Sequence, residues 1–189
     1  MESVGKKAVL LSLLIGSLFI SNFITKKNSL SKDNTYPFLF FFIFLILFPT
    51  TLGNSNLIIS NFFILLALRR LISLQSLVAP KEKIFDASMW VFLAALFHFW
   101  SILFIILVFL SIALHVARDY RNWVLPYIAF FTVATLYVVF GLLYDTKLFS
   151  HLMDDAAFSF DFDYFTNKYQ NIALSIYAAI TVLFLFSQI

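Results

Sequence analysis

Four aspartates near the C-terminal end are the residues whose types and spacing best suit chemistry. Asp154 and Asp155 are adjacent, and Asp161 and Asp163 are separated by one residue. Hard cations such as Ca²⁺ and Mg²⁺ require several carboxylate oxygens, so these side chains form a candidate external acidic site that binds a cation or acts as a general base. The aspartates also alternate with aromatic residues, which favours an interfacial belt at the membrane surface. We favour the belt and predict neither a metal nor a cofactor.

Four basic residues form the second candidate site. Arg69 and Arg70 end one apolar run, and Lys81 and Lys83 begin the next after a short loop. Such residues anchor the orientation of a membrane protein and meet anionic lipid, at about 1 kcal/mol each. The functional alternative is a pocket for a lipid phosphate headgroup. Asp86 follows closely and is placed to pair with Lys83, three residues before it.

The elements that position these residues are apolar stretches long enough to cross a bilayer. The chain has 189 residues, of which 62% are hydrophobic and 12% charged, whereas soluble domains carry about 25% charged residues. We predict an all-α, polytopic transmembrane helix bundle in one domain, with about seven spans and one external interfacial helix or loop at 145–170. The predicted spans are residues 8–25, 36–52, 56–72, 84–99, 101–117, 123–144 and 171–189.

The stretch 84–117 contains neither glycine nor proline and permits two interpretations. One continuous helix would be about 50 Å long, against a hydrocarbon core of about 30 Å. We therefore predict two short helices joined by a tight turn near His98–Ser101. A single, strongly tilted helix is the alternative.

The distribution of basic residues predicts the orientation, because cytoplasmic loops are enriched in lysine and arginine. The seven-span arrangement places loop 69–83 in the cytoplasm and loop 145–170 outside. Nine basic residues fall on the cytoplasmic side: Lys26, Lys27, Lys32, Arg69, Arg70, Lys81, Lys83, Arg118 and Arg121. Four fall on the other side: Lys6, Lys7, Lys147 and Lys168. This arrangement puts the N-terminus outside although Lys6 and Lys7 precede the first span, and an apolar run continues to Ile189. We therefore also expect a fragment of a longer protein, or a member of its family that lacks flanking helices.

Several classes of function have no support in the sequence. The chain has no cysteine, which excludes disulfides and thiolate catalysis. The histidines His98, His115 and His151 fall at different predicted depths and do not form one ligand set. The basic residues lie beside apolar spans rather than on a soluble face, so nucleic acid is not an expected partner.

Short motifs along the chain carry a resemblance to a known family. They are Asn28-Ser29-Leu30, Asn34-Thr35-Tyr36, Leu47-Phe48-Pro49, Leu66-Ala67-Leu68-Arg69-Arg70, Lys83-Ile84-Phe85-Asp86-Ala87 and Asp119-Tyr120-Arg121-Asn122-Trp123. Over roughly residues 28–141 the chain resembles an uncharacterised family of multi-spanning inner-membrane proteins of Bacteroidota. The resemblance implies a Gram-negative inner membrane with loop 145–170 in the periplasm. It implies no catalytic residue.

Two hypotheses of function follow. The first is a non-catalytic subunit or scaffold of an envelope assembly, with membrane lipids and other membrane-protein subunits as partners. The alternative is a glycosyltransferase-like membrane module that uses a polyprenyl-phosphate-linked sugar. That alternative is weakened because the first external loop, residues 53–56, contains no carboxylate. A transporter has less support, since no charged or broken helix lies near the predicted midplane.

Overall fold

The structure is a computed structural model that describes residues 4–27, 36–144 and 168–187. Within these ranges the chain is helical and has no strand, which confirms the predicted all-α fold there. Two short 3₁₀ helices cover Leu74–Ser76 and Phe99–Phe104. The α-helices are α1 (Val4–Lys27), α2 (Tyr36–Leu47), α3 (Thr50–Gly53), α4 (Ser55–Ser73), α5 (Pro80–Phe97), α6 (Ile105–His115), α7 (Tyr120–Tyr144) and α8 (Lys168–Ser187).

The described helices suit a membrane environment. Outward-facing side chains are large and apolar: Phe131 and Leu142 on α7 are 67% and 72% exposed. Helices carrying such surfaces are stable in hydrocarbon, where backbone groups must be satisfied within the helix. Three helices are long and apolar enough to cross a membrane: Gly5–Lys27, Ser55–Ser76 and Tyr120–Leu143. Shorter apolar helices cover Phe38–Leu47, Phe99–His115 and Asn171–Leu183. The count of seven spans stays a prediction.

The centre of the bundle is the antiparallel pair α4 and α5. Ala67, Ala87 and Ala94 are almost completely buried along this pair. Small side chains let two helix backbones approach closely, which is how helices associate in membranes without help from water. Larger buried residues, among them Ile84 and Leu74, complete the same core cluster.

The outer helices pack parallel to their central neighbours. On one side, α1 runs in the direction of α4, because Gly16 lies against Phe62 and Phe23 lies against Arg69. On the other side, α7 runs in the direction of α5. Their contacts there include Lys81 with Asp119 and Phe92 with Phe130. The helices α1, α4, α5 and α7 therefore lie in that order, and two of them run in each direction. Helix α8, which is of similar length, contacts α2.

The helix break in stretch 84–117 lies at His98, within the predicted turn. His98 has an extended backbone (φ −146°, ψ 106°), and its N–H donates to the carbonyl of Ala94 over 3.0 Å. The same carbonyl accepts a hydrogen bond from the Ser60 hydroxyl of α4 at 3.1 Å, and that hydroxyl lies 2.6 Å from the Ser101 hydroxyl. The Ala94 carbonyl therefore accepts two hydrogen bonds, and the one from Ser60 joins the last turn of α5 to the neighbouring helix.

Candidate functional site

One end of the bundle collects most of the described basic residues. The carboxyl ends of α1 and α4 and the amino ends of α5 and α7 meet there, because α1 and α4 run one way and α5 and α7 the other. The predicted residues Arg69, Arg70, Lys81 and Lys83 all lie at this end. The structure divides them into groups with different partners.

Arg70 and Lys81 are paired with carboxylates. An Nη atom of Arg70 lies 2.9 Å from a carboxylate oxygen of Asp86, and Nζ of Lys81 lies 3.3 Å from one of Asp119. The expected pairing of Asp86 with Lys83 is therefore wrong. Asp86 lies in the second turn of α5 and contacts α4, so the arginine of the antiparallel neighbour reaches it. Both pairs are partly exposed, and such pairs are worth about 0–1 kcal/mol each.

Lys83 caps the carboxyl end of α4. Its ammonium donates to the carbonyl of Ser73 and to the hydroxyl of Ser76, each over 2.7 Å. A lysine in this position satisfies an orphan carbonyl and complements the partial negative charge of the helix end. Lys83 thus has a structural role, although its side chain also lines the groove described below.

Lys27 and Arg69 have an aromatic partner instead of a carboxylate. Lys27 Nζ lies 5.3 Å, and Arg69 Cζ 4.9 Å, from the centroid of the Phe23 ring. Within the described ranges neither side chain forms an ion pair. The sequence analysis missed Lys27 and Phe23 as site residues. The available signal was the predicted orientation, which assigns Lys27 and Arg69 to the same side.

A groove of about 330 Å³ lies between these helix ends. Its size is at the lower end of the range for ligand sites, about 300–1,000 Å³. Three of the four predicted basic residues line it, whereas Lys81 does not. The lining consists of Phe23, Ile24, Lys27, Arg69, Arg70, Ile72, Ser73, Gln75, Ser76 and Lys83.

Asp119 lies at the start of α7 and is held in its charged form. Its Oδ1 atom accepts a hydrogen bond from the backbone N–H of Arg121 over 3.0 Å. This hydrogen bond is the main cause that lowers the pKa of the Asp119 carboxyl below its ordinary value, with a further contribution from the Lys81 ammonium. The arrangement satisfies an amino-terminal N–H of α7 and places a negative charge at its positive end.

A second cavity, of about 480 Å³, lies among α1, α2, α4 and α8. Aromatic and aliphatic side chains of α2 form much of its wall, including Phe40 and Phe44. Ser21 of α1 and Leu65 of α4 mark its extent toward the basic groove. The lining of this cavity suits an apolar chain, such as an acyl chain, between the helices.

The candidate acidic site lies outside the described residues. Asp154, Asp155, Asp161 and Asp163 fall in the segment between α7 and α8, as does the predicted interfacial helix. These assignments stay predictions. In the described part of the chain, no three histidine, aspartate or glutamate side chains are grouped so that they could hold a metal ion.

Comparison of the chain with protein-family models, with curated proteins and with solved structures finds no match. The resemblance to a family of Bacteroidota inner-membrane proteins accordingly stays a prediction. The geometry of the chain itself carries the functional argument.

Proposed function

We propose that this protein is a multi-pass inner-membrane protein that acts as a non-catalytic subunit or scaffold of an envelope assembly. The observation that supports the proposal is the placement of polar groups in the described helices. Inside the bundle the Ser60 hydroxyl donates to the Ala94 carbonyl of the neighbouring helix, and the Ser88 hydroxyl donates to the Ile84 carbonyl of its own helix. Charged groups gather at the basic end, where ion pairs join neighbouring helices. The Ser60 bond and the ion pairs hold helices together.

The proposed orientation places the basic end in the cytoplasm and loop 145–170 in the periplasm. Support comes from the convergence of Lys27, Arg69, Arg70, Lys81 and Lys83 at one end of the described bundle. An excess of basic residues at one end is what positive-inside topology requires, and of the described lysines Lys6 and Lys7 begin α1 at the opposite end. The assignment to a Gram-negative inner membrane rests on the family resemblance.

Cysteine labelling tests this orientation directly, because the chain has no native cysteine. Single variants Lys81→Cys and Asp161→Cys are exposed to a membrane-impermeant maleimide in intact spheroplasts. We expect labelling of Asp161→Cys at once and of Lys81→Cys only after permeabilisation. Leu136→Cys, on the exposed apolar face of α7, is the control that stays unlabelled in lipid. Equal labelling of the first two variants in intact cells would contradict the orientation.

The subunit role is tested by loss of the gene. We expect envelope assembly to fail in a deletion strain and to recover with the intact chain. We also expect the tagged protein, extracted in mild detergent, to migrate in a stable complex well above its own 21.8 kDa. Normal envelope assembly in the deletion strain, together with a solitary chain in detergent, would overturn the proposal.

The glycosyltransferase-like alternative depends on carboxylates outside the described ranges, and no described residue favours it. Its test is the conversion of Asp154, Asp155, Asp161 and Asp163 to asparagine. Unchanged glycan transfer in that variant would remove the alternative.

A further inference from the structure

We propose, on the premise of the membrane placement above, that the groove between the carboxyl ends of α1 and α4 binds the phosphate of an anionic phospholipid. Lys27 and Arg69 supply the positive charge, and Phe23 and its apolar neighbours form the floor. This site differs from the four basic residues that the sequence suggested. It gains Lys27, and it omits Lys81, which contacts Asp119 instead.

The shared aromatic ring is the first argument for an anion here. Lys27 and Arg69 both lie over Phe23, so their charged groups are no further apart than the sum of 5.3 and 4.9 Å. Like charges at this separation repel, and more strongly beside apolar groups than in open water. The ring faces offset part of the repulsion. A phosphate between the two cations would turn the repulsion into attraction.

The contrast with neighbouring cations is the second argument. Arg70 and Lys81 lie at the same end of the bundle, and each already contacts a carboxylate. If these basic residues only anchored the orientation of the protein in the membrane, none of them would differ from the others in this role. Lys27, Arg69 and Lys83 line the groove, and no described carboxylate neutralises their charges. The Lys83 ammonium already donates to the Ser73 carbonyl and the Ser76 hydroxyl, so Lys27 and Arg69 are the cations best placed to hold a headgroup.

The third argument favours a lipid over a free phosphate ion. The apolar cavity of about 480 Å³ is bounded by the same two helices, at Ser21 of α1 and Leu65 of α4. These residues precede Phe23 and Arg69 by two and four positions, or about one helical turn or less. A headgroup in the basic groove thus leaves its acyl chain next to an apolar cavity, which a soluble anion cannot use.

Thermal unfolding of the purified full chain in uncharged detergent tests the site. The probes are phosphatidylglycerol, phosphatidylcholine and sodium phosphate. We expect phosphatidylglycerol to raise the unfolding midpoint, phosphatidylcholine to have a much smaller effect, and sodium phosphate to have none at the same concentration. The double variant Lys27→Gln/Arg69→Gln should lose about fivefold in apparent affinity for phosphatidylglycerol per removed charge, or about twenty-five-fold in all.

A matched control removes the same net charge from the same end of the bundle. Arg118→Gln/Arg121→Gln changes two exposed residues outside the groove and should keep the phosphatidylglycerol affinity within about twofold. An equal loss in both double variants would show a diffuse surface effect and overturn the site. Equal stabilisation by both lipids, or by sodium phosphate, would overturn it as well.

A second pair of variants keeps the test decisive if the loss of both charges prevents folding. Phe23→Leu removes the ring but keeps an apolar floor, and we expect about threefold weaker binding of phosphatidylglycerol. Phe19→Leu, an exposed phenylalanine on the same helix, should leave binding unchanged. Unchanged binding in Phe23→Leu would overturn the proposal. Since cysteine labelling reports orientation independently, a failed lipid site and a failed membrane topology give different results.

Discussion

Helix α4 makes two interfaces that are built in different ways. Toward α5 it packs against small, fully buried side chains such as Ala87 and Ala94. Hydrogen bonds and an ion pair close that interface near both ends. Toward α1 the close approach depends on Gly16 against the Phe62 ring, and cavities remain beside the seam. The α4–α5 interface is closely packed and its polar groups are paired. The α1–α4 interface has free space and positive charge beside it that suit a ligand.

Helix direction explains why the charges differ between the two interfaces. The carboxyl ends of α1 and α4 carry partial negative charge and attract cations, here Lys27 and Arg69. The amino ends of α5 and α7 carry partial positive charge. Asp119 lies at the start of α7 and Asp86 in the second turn of α5, and both form ion pairs near these ends. On the α1–α4 side no described carboxylate pairs with Lys27 or Arg69, so these cations are available to an external anion.

The largest effect is expected from overpacking the α4–α5 interface. Ala94→Leu adds three carbon atoms at a position with no exposed surface, so the two backbones must separate. We expect the free energy of unfolding in detergent to fall by about 1–3 kcal/mol. Ala113→Leu, on an exposed part of α6, is the control and should change stability little. Equal stability of the two variants would show that the interface is not tightly packed.

The next effect concerns the hydroxyl pair beside the helix break. Ser60→Ala removes the bond to the Ala94 carbonyl and the contact with the Ser101 hydroxyl. Interhelical hydrogen bonds in membranes contribute about 0.6 kcal/mol on average and at most about 1.7 kcal/mol. A double-mutant cycle with Ser101→Ala should give a coupling energy of that order. Strictly additive losses in unfolding free energy would contradict the shared bond.

A smaller effect is expected at the α1–α4 seam. A Cβ atom added at Gly16 would lie 3.0 Å from Cε2 of Phe62, the far end of a side chain that can move. The gain in helix propensity from glycine to alanine, about 1 kcal/mol, opposes this contact. We expect Gly16→Ala to change the unfolding free energy by less than about 1 kcal/mol. Gly5→Ala, with open space around its Cβ position, gives the reference for an uncrowded substitution on α1.

The smallest expected effect is the pH dependence of the stability that the Asp119 carboxylate contributes. The pKa of Asp119 is lowered in the folded protein, so its carboxylate contributes stability above its unfolded pKa. That contribution disappears as the pH falls through the lowered folded pKa. Unfolding midpoints of the wild type and of Asp119→Asn should therefore differ at pH 7 and converge toward pH 3. A constant difference across this range would assign the effect to something other than ionisation.

The sequence predicted the helices well because apolar runs and their interruptions are local features. The break near His98 follows from a length argument, and Arg69 and Arg70 lie at the basic end because charges avoid the bilayer centre. Pairings between side chains of different helices are not local features of the sequence. Asp86 contacts Arg70, rather than the nearer Lys83, because α4 and α5 are antiparallel neighbours.

The residues that line the basic groove could not be predicted from the sequence for the same reason. Phe23 and Arg69 are 46 positions apart in the sequence, and nothing local links them. Their contact depends on the parallel packing of α1 against α4, which Gly16 permits. Charge counting predicts Lys27 and Arg69 on the same side, but only the packing shows that the two residues share a ring.

The opposed directions of α1, α4, α5 and α7 also determine how the dipoles of these four helices add. Each helix carries about half an elementary charge of opposite sign at its two ends. With α1 and α4 oriented one way and α5 and α7 the other, these four axial dipoles cancel, while α2, α6 and α8 carry dipoles of their own. An electric field along the common axis, which does about 2.3 kcal/mol of work per elementary charge per 100 mV, would therefore do almost no net work on the backbones of these four helices.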